Sequence, residues 1–256
     1  MLQAHSFLWH YLWVAPNLLL PVLAVLLWKR GTARQIPAFF AFVILSSIGQ
    51  LAVYAADILP SVDATTYWRV DWGNLILEAL LKFALIGEIF ALLFGSYASL
   101  AQLGKTLIRG AGIILVFAAA LAAAYAPKNE FIGIISGANL LEQTTYLIEC
   151  GILVTIFFFS GYFHLSWPRQ VFGITLGLSI SACVHLATWA LIDNGGLLHS
   201  TRIVLTFVNM ATYNACVLIW FYYLLVPHKV VAKSAVPLPE TNLDAWNREL
   251  ERLVRP

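Results

Sequence analysis

Charge is what this sequence has least of. Of 256 residues, 15 are Lys or Arg and 13 are Asp or Glu, 11% together, where a soluble domain carries about a quarter. The shortage excludes a water-soluble fold, and with no basic cluster longer than two or three residues it excludes nucleic-acid binding as well. Cysteine is also scarce. Cys150, Cys183 and Cys216 lie inside apolar runs, in no CxxC or CxxCH arrangement, so they read as small apolar side chains rather than disulfide partners or metal ligands. A secretory leader is missing too. Met1 to His5 has neither a basic segment nor a small-residue cleavage site, and the apolar run that follows is closed by Lys29 and Arg30, which predicts a first helix that is retained.

Apolar sequence, in contrast, is abundant: 61% of residues are hydrophobic and the mean hydropathy is +0.81. A helix needs about 20 apolar residues to cross a bilayer, and the apolar runs place seven at about residues 7–28, 36–58, 73–99, 108–126, 139–163, 171–192 and 203–226. The fold class expected is therefore all-α, an integral membrane bundle over residues 1–228 followed by a tail, 229–256. In that tail Leu243, Trp246, Leu250 and Leu253 recur at three and four residues, which predicts an amphipathic helix at about 242–255 that lies on the membrane or docks a protein partner.

Lys29, Arg30, Arg34, Lys105, Arg109, Arg169, Lys229 and Lys233 fall on one side of this arrangement, while Arg69, Lys128 and Arg202 fall on the other. Positive charge accumulates in cytoplasmic loops. The N-terminus is thus expected outside and the C-terminus in the cytoplasm, in a plasma or inner membrane. Tryptophans predict the same orientation, with Trp9, Trp13, Trp68, Trp72 and Trp189 at the outer boundary and Trp28, Trp167 and Trp220 at the inner one. Residues 60–72 read as an outer connection with the composition of an aromatic loop or lid. Pro16 and Pro21 are expected to bend the first helix or to leave backbone groups unsatisfied.

Ionisable side chains at membrane depth cost at least ~2.5 kcal/mol each, so they normally face the bundle interior and serve a purpose. Glu78, Lys82 and Glu88 fall in the third span, Glu142 and Glu149 in the fifth and His185 in the sixth. Glu78 and Lys82 are spaced as an ion pair along one helix face, and as interhelical glue Lys82 is expected to bridge Glu78 and Glu149. Glu142 and Glu149 share a face of the fifth span with Thr145 and Tyr146 between them. With Asn209, Tyr213 and Asn214 of the last span, these residues are expected to line the outer half of the bundle, extended by Ser46, Ser47, Gln50, Ser179 and Ser181. Glu88 is expected nearer the cytoplasmic interface.

The layout resembles the seven-helix sensory regions that precede bacterial signalling domains, in architecture and without a shared motif. It departs from retinal proteins, since the last span has Tyr213 and Asn214 at mid-depth and no lysine. It departs from the seven-helix zinc hydrolases, which place paired histidines on that span. No nucleophile motif accompanies Glu142, Glu149 and His185, so catalytic residues, metal ligands and a cofactor are left unassigned and an enzyme is disfavoured. The function expected is a receptor-like or accessory protein whose acidic pocket, holding Glu78, Lys82, Glu142, Tyr146, Glu149, His185, Asn209, Tyr213 and Asn214, binds a small polar or cationic ligand and acts through a partner. A structural subunit, or a proton or solute pathway through the same groups, is the alternative.

Overall fold

The structure is a computed structural model that describes residues 6–95, 102, 104, 106–107, 109–114, 117, 130–162, 165–194, 199–226, 246–248 and 251, with the side chains of 130–139, 193–194 and 199–200 left out of the description. Among these residues it is all-helical. Helix α1 spans Phe7–Lys29, α2 Pro37–Ile58 and α3 Ala64–Phe94, and residues 109–114 form part of α4. Then follow α5 over Glu130–Tyr162, α6 over Arg169–Asn194 and α7 over His199–Leu225. Five helices, α1, α2, α5, α6 and α7, are long and apolar enough to cross a membrane, so this is a multi-pass membrane protein.

The helices close into a ring. In order around it, α1 packs on α2, α2 on α3, α3 on α5, α5 on α6, α6 on α7, and α7 returns to α1. The described part of α4 lies against the ring, with Ala111 in the core and Gly104 on the ring of Phe90. Short connections make successive helices antiparallel. One end of the bundle therefore gathers the starts of α1, α3, α5 and α7 with the ends of α2 and α6; it is called proximal below, and the opposite end distal.

Two boundaries differ from the hydropathy reading. Helix α3 begins at Ala64, nine residues before the expected start, because Asp63 caps it: its carboxylate accepts from the Thr65 and Thr66 amides at 3.2 and 3.4 Å and from the Thr66 hydroxyl at 2.5 Å. The Thr66 hydroxyl is the main reason this carboxyl sits below its ordinary range. The segment read as an aromatic loop is thus the first turns of a helix, with Tyr67 and Trp68 on it. Helix α5 likewise starts at Glu130 rather than 139. Most of the fourth span and of the tail helix lies outside the described residues; Trp246, in a short helical stretch, packs edge-on against Tyr162 at 5.9 Å.

The prolines of α1 do not break it. Pro16 and Pro21 lie inside one continuous helix. Lacking an N–H, each leaves the carbonyl four residues earlier without its helical donor, at Leu12 and Asn17. Both are satisfied from neighbouring helices: the Asn214 amide of α7 donates to the Leu12 carbonyl at 2.8 Å, and the buried Ser47 hydroxyl of α2 donates to the Asn17 carbonyl at 2.5 Å. This is how a membrane bundle tolerates proline, and it ties α1 to both of its neighbours.

Helices α6 and α7 approach closely for another reason. A Cβ on Gly173 would lie 2.2 Å from Cβ of Tyr223, and one on Gly177 would lie 2.3 Å from Nε1 of Trp220. Glycines four apart let the large α7 side chains sit on the α6 backbone, where the Trp220 indole donates to the Ile174 carbonyl at 3.3 Å.

At the distal end, Arg30 donates to the Leu225 carbonyl, and Arg169 to those of Val226 and Tyr222. Two cations thus hold the C-terminus of α7, where the helix dipole favours them. Glu88 lies at this end as expected. Its carboxylate accepts from the Ala38 and Phe39 amides at 3.1 and 3.2 Å, supplying from α3 the N-terminal cap that Ile36 does not give α2.

Candidate functional site

The polar residues of the proximal half converge on a cavity of about 390 Å³. Helix α3 brings Glu78 and Lys82 to its wall, α5 brings Glu142 and Tyr146, α6 Ser181, His185, Thr188 and Trp189, α7 Thr206, Asn209, Met210 and Tyr213, α1 Leu12, Trp13, Pro16 and Asn17, and α2 Phe42, Ser46 and Gln50. A second space of about 260 Å³ shares Gln50, Glu78, Glu142, Tyr146 and His185 with the first and continues past Asp71 and Asn74 to Tyr67 and Trp68. The early turns of α3 therefore form the mouth.

Glu78 is held by neutral donors. Its Oε1 accepts from the Ser46 hydroxyl at 3.0 Å, the Gln50 amide at 2.8 Å and the Asn74 amide at 3.4 Å. Its expected ion pair with Lys82 is not formed. Lys82 instead reaches across to α5, where its Nζ lies 3.3 Å from Oε2 of Glu149 and 4.3 Å from the centroid of the Tyr146 ring. The reason is depth. Glu149 is 1% exposed and has no other partner for its charge among the described residues, whereas Glu78, near the mouth, has amides and a hydroxyl on its Oε1. A buried lysine neutralises the carboxylate that has no alternative.

Tyr146 stacks in turn on His185, centroids 4.6 Å apart and planes at 21°. The Nδ1 of His185 lies 3.0 Å from the Ser181 carbonyl. A carbonyl only accepts, so Nδ1 carries the proton and a neutral ring presents Nε2 as an acceptor. On α7, Asn209 accepts from the Thr188 hydroxyl at 3.0 Å. Around the mouth side, Trp13 donates to Gln50 at 3.4 Å, and the Tyr54 hydroxyl lies 3.0 Å from Nδ1 of His10.

The cavity has an aromatic floor. Trp220, 1% exposed, meets Phe39 and Phe42 edge-on at 5.5 and 5.9 Å, and Leu178 stands beside them. Trp220 is therefore an interior residue and not part of the inner tryptophan belt the sequence suggests. Its glycine seat on α6 accounts for the difference, because a side chain with a place on a neighbouring backbone turns inward. Beyond it the core is apolar, with Leu20, Leu23, Leu27, Ile86, Phe90, Phe94, Ile152, Ile156 and Ile174. From Lys82 to Phe94 the axial distance is roughly 18 Å at ~1.5 Å per residue. Over that height the buried ring interior holds no described ionised group, since Glu88 is turned to the start of α2.

Of the nine residues singled out in the sequence, Glu78, Lys82, Glu142, Tyr146, His185, Asn209 and Tyr213 line the cavity. Glu149 sits behind the wall as the partner of Lys82. Asn214 does not line the cavity: its amide donates to the carbonyls of Leu12 and Met210. Ser46, Gln50 and Ser181 line the cavity as expected, whereas Ser47 serves Asn17 and the Ser179 hydroxyl bonds within its own helix to Thr175. Asn17 was not anticipated. Its signal was the Pro16-Asn17 pair, a polar residue beside a helix-interior proline. Cys150 and Cys183, remote in sequence, lie with their sulfurs 3.8 Å apart across α5 and α6, both as free thiols. Comparison with protein-family models, with curated proteins and with solved structures yields no match.

Proposed function

We propose that this chain is a receptor-like or accessory seven-helix membrane protein that binds a small polar or cationic ligand in the proximal cavity. In this reading α3 and α4 cross the membrane with the other five helices, the N-terminus and the cavity mouth face outward, and the C-terminus is cytoplasmic. The distribution of Lys and Arg supports the orientation. The observation that carries the binding reading is the asymmetry of the interior: a mouth and two acidic side chains, Glu78 and Glu142, at one end, and an aromatic floor with an apolar core at the other. A cavity of about 390 Å³ is within the usual range for small-molecule sites, roughly 300 to 1,000 Å³. The same asymmetry disfavours a proton or solute pathway, which needs polar groups from face to face.

A ligand-dependent change at the cavity has a physical route to the distal end. Trp220 and Tyr213 are on α7, whose C-terminus is held by Arg30 and Arg169. Movement of α7 there reaches the loops in which a cytoplasmic partner would dock. The test is mass spectrometry on protein extracted gently with its own lipid. A small molecule that co-purifies with the wild type and is lost from a cavity-filling Met210→Trp variant supports the reading. An empty bundle that brings down another membrane protein replaces it with the structural-subunit reading.

A further inference from the structure

We infer that the cavity is built for a protonated amine, an ammonium group with N–H donors carried on a compact apolar or aromatic body. The inference rests on the binding reading above and follows from an accounting of donors and acceptors in the cavity wall.

Several donors there are already spent on the protein. The Ser46 hydroxyl and the Gln50 amide go to Glu78, the Asn17 amide to the Trp13 carbonyl, the Thr188 hydroxyl to Asn209, and Nδ1–H of His185 to the Ser181 carbonyl. Lys82, the one cation in the described wall, is matched by Glu149 and lies over the Tyr146 ring.

Several acceptors are not spent. Glu78 gathers its three bonds on Oε1, leaving Oε2 without a hydrogen bond among the described residues. Asn17 is 2% exposed and its Oδ1 is buried with no partner. Nε2 of His185 is an acceptor by the tautomer argument, and Glu142, whose carboxyl takes a hydrogen bond from Trp189, adds a second acidic group to the wall. A buried acceptor without a donor is costly, so the group that completes this wall must bring hydrogen-bond donors.

Charge gives the same answer. With the Lys82–Glu149 pair neutral, the acidic side chains Glu78 and Glu142 have no described cation of the wall left to balance them. Trp13, Trp189, Tyr213 and Trp220 add aromatic rings to the wall, the kind of surroundings in which an organic cation is held by cation–π attraction while its body packs on apolar surface. An anion or a neutral acceptor would meet unpaired oxygens instead.

The experiment uses the full chain in lipid nanodiscs and follows its thermal unfolding with four probes of one shape: 2-phenylethylamine, its N,N,N-trimethyl analogue, 2-phenylethanol and 3-phenylpropanoate. The expected result is a saturable rise in melting temperature with the amine at pH 7. The trimethyl analogue should bind at least about tenfold more weakly for want of N–H donors, with no shift from the alcohol or the carboxylate. Glu78→Gln is expected to weaken the amine at least about tenfold. If that variant does not fold, Glu142→Gln gives the same reading from the other carboxylate. Binding of the alcohol or carboxylate equal to that of the amine would overturn the ammonium assignment and leave the pocket reading standing. A trimethyl analogue as tight as the amine would overturn the hydrogen-bonding argument. No shift with any probe, together with a wild-type protein that carries no small molecule out of its native lipid, would remove both readings.

Discussion

If the carbonyls freed by the prolines of α1 are satisfied by side chains from other helices, then removing the proline should remove the need for the side chain. The pair to use is Ser47 and Pro21. Ser47 is fully buried and its hydroxyl donates to the Asn17 carbonyl, while Pro21 is exposed on the outer face of the ring, so Pro21→Ala changes the backbone without opening a core void. Ser47→Ala removes one hydroxyl and strands that carbonyl, at a cost of about 1 to 2 kcal/mol, between the measured value of membrane side-chain hydrogen bonds and the full penalty for a buried unpaired group. With alanine at 21, its own N–H reaches the Asn17 carbonyl by the ordinary helical bond. In that background Ser47→Ala should cost less than about 0.5 kcal/mol, a coupling of about 1 kcal/mol. Unfolding in mixed micelles with increasing dodecyl sulfate, followed by the fluorescence of the nine tryptophans, measures the four members of the cycle. Equal losses for Ser47→Ala in both backgrounds would refute the reasoning, since the hydroxyl would then be stabilising something other than the proline gap.

Three further outcomes follow from the packing. Lys82→Met and Glu149→Gln should each destabilise by about 3 to 5 kcal/mol by stranding a buried charge, and the double variant should recover much of it; additive losses in the same micelle assay would mean that the 3.3 Å pair does not exist. Gly177→Ala should cost about 1 to 3 kcal/mol because its Cβ has to push against Trp220, and Gly177→Ala combined with Trp220→Leu should lose less than the sum of the two changes. Mild oxidation of the membrane-embedded chain should form an intrachain disulfide between Cys150 and Cys183, whose sulfurs need to close from 3.8 Å to about 2 Å; peptide mass mapping finds it or, if α5 and α6 pack in another register, finds only free thiols.

The helical class was legible because apolar runs of bilayer length leave no other solution; α1, α2, α6 and α7 match their expected spans within about four residues at either end, and α5 matches its span at the C-terminal end. The two early starts had local causes that a hydropathy average hides. Asp63 with Thr66 makes an N-cap whatever the polarity of the turn that follows, and α5 runs out past its apolar section. The site was legible to the level of which helices carry it, because buried charge is expensive and marks the interior. The partners were legible only in part: the sequence offered Lys82 both Glu78 and Glu149, and only Glu149 takes it. Spacing along α3 put Glu78 next to Lys82, yet the lysine is claimed by Glu149 from across the ring, since helical periodicity carries no information on which neighbour faces a residue. Asn214 illustrates the same limit: an asparagine at mid-depth reads as a site residue until the proline that calls for it, on another helix, is seen to lie opposite.

The pairing of Lys82 with Glu149 also bears on how the chain enters a bilayer. Helix α3 carries Arg69, Asp71, Glu78, Lys82 and Glu88 and is not among the helices apolar enough to cross by composition. The counter-charge for its deepest residue is on α5, and the donors that satisfy Glu78 are on α2 and in its own preceding turn. During synthesis α3 therefore emerges before the residue that makes its burial tolerable. Its integration is expected to wait, held beside the insertion machinery or at the membrane surface, until α5 follows, so that the bundle is completed by helices entering together rather than one at a time.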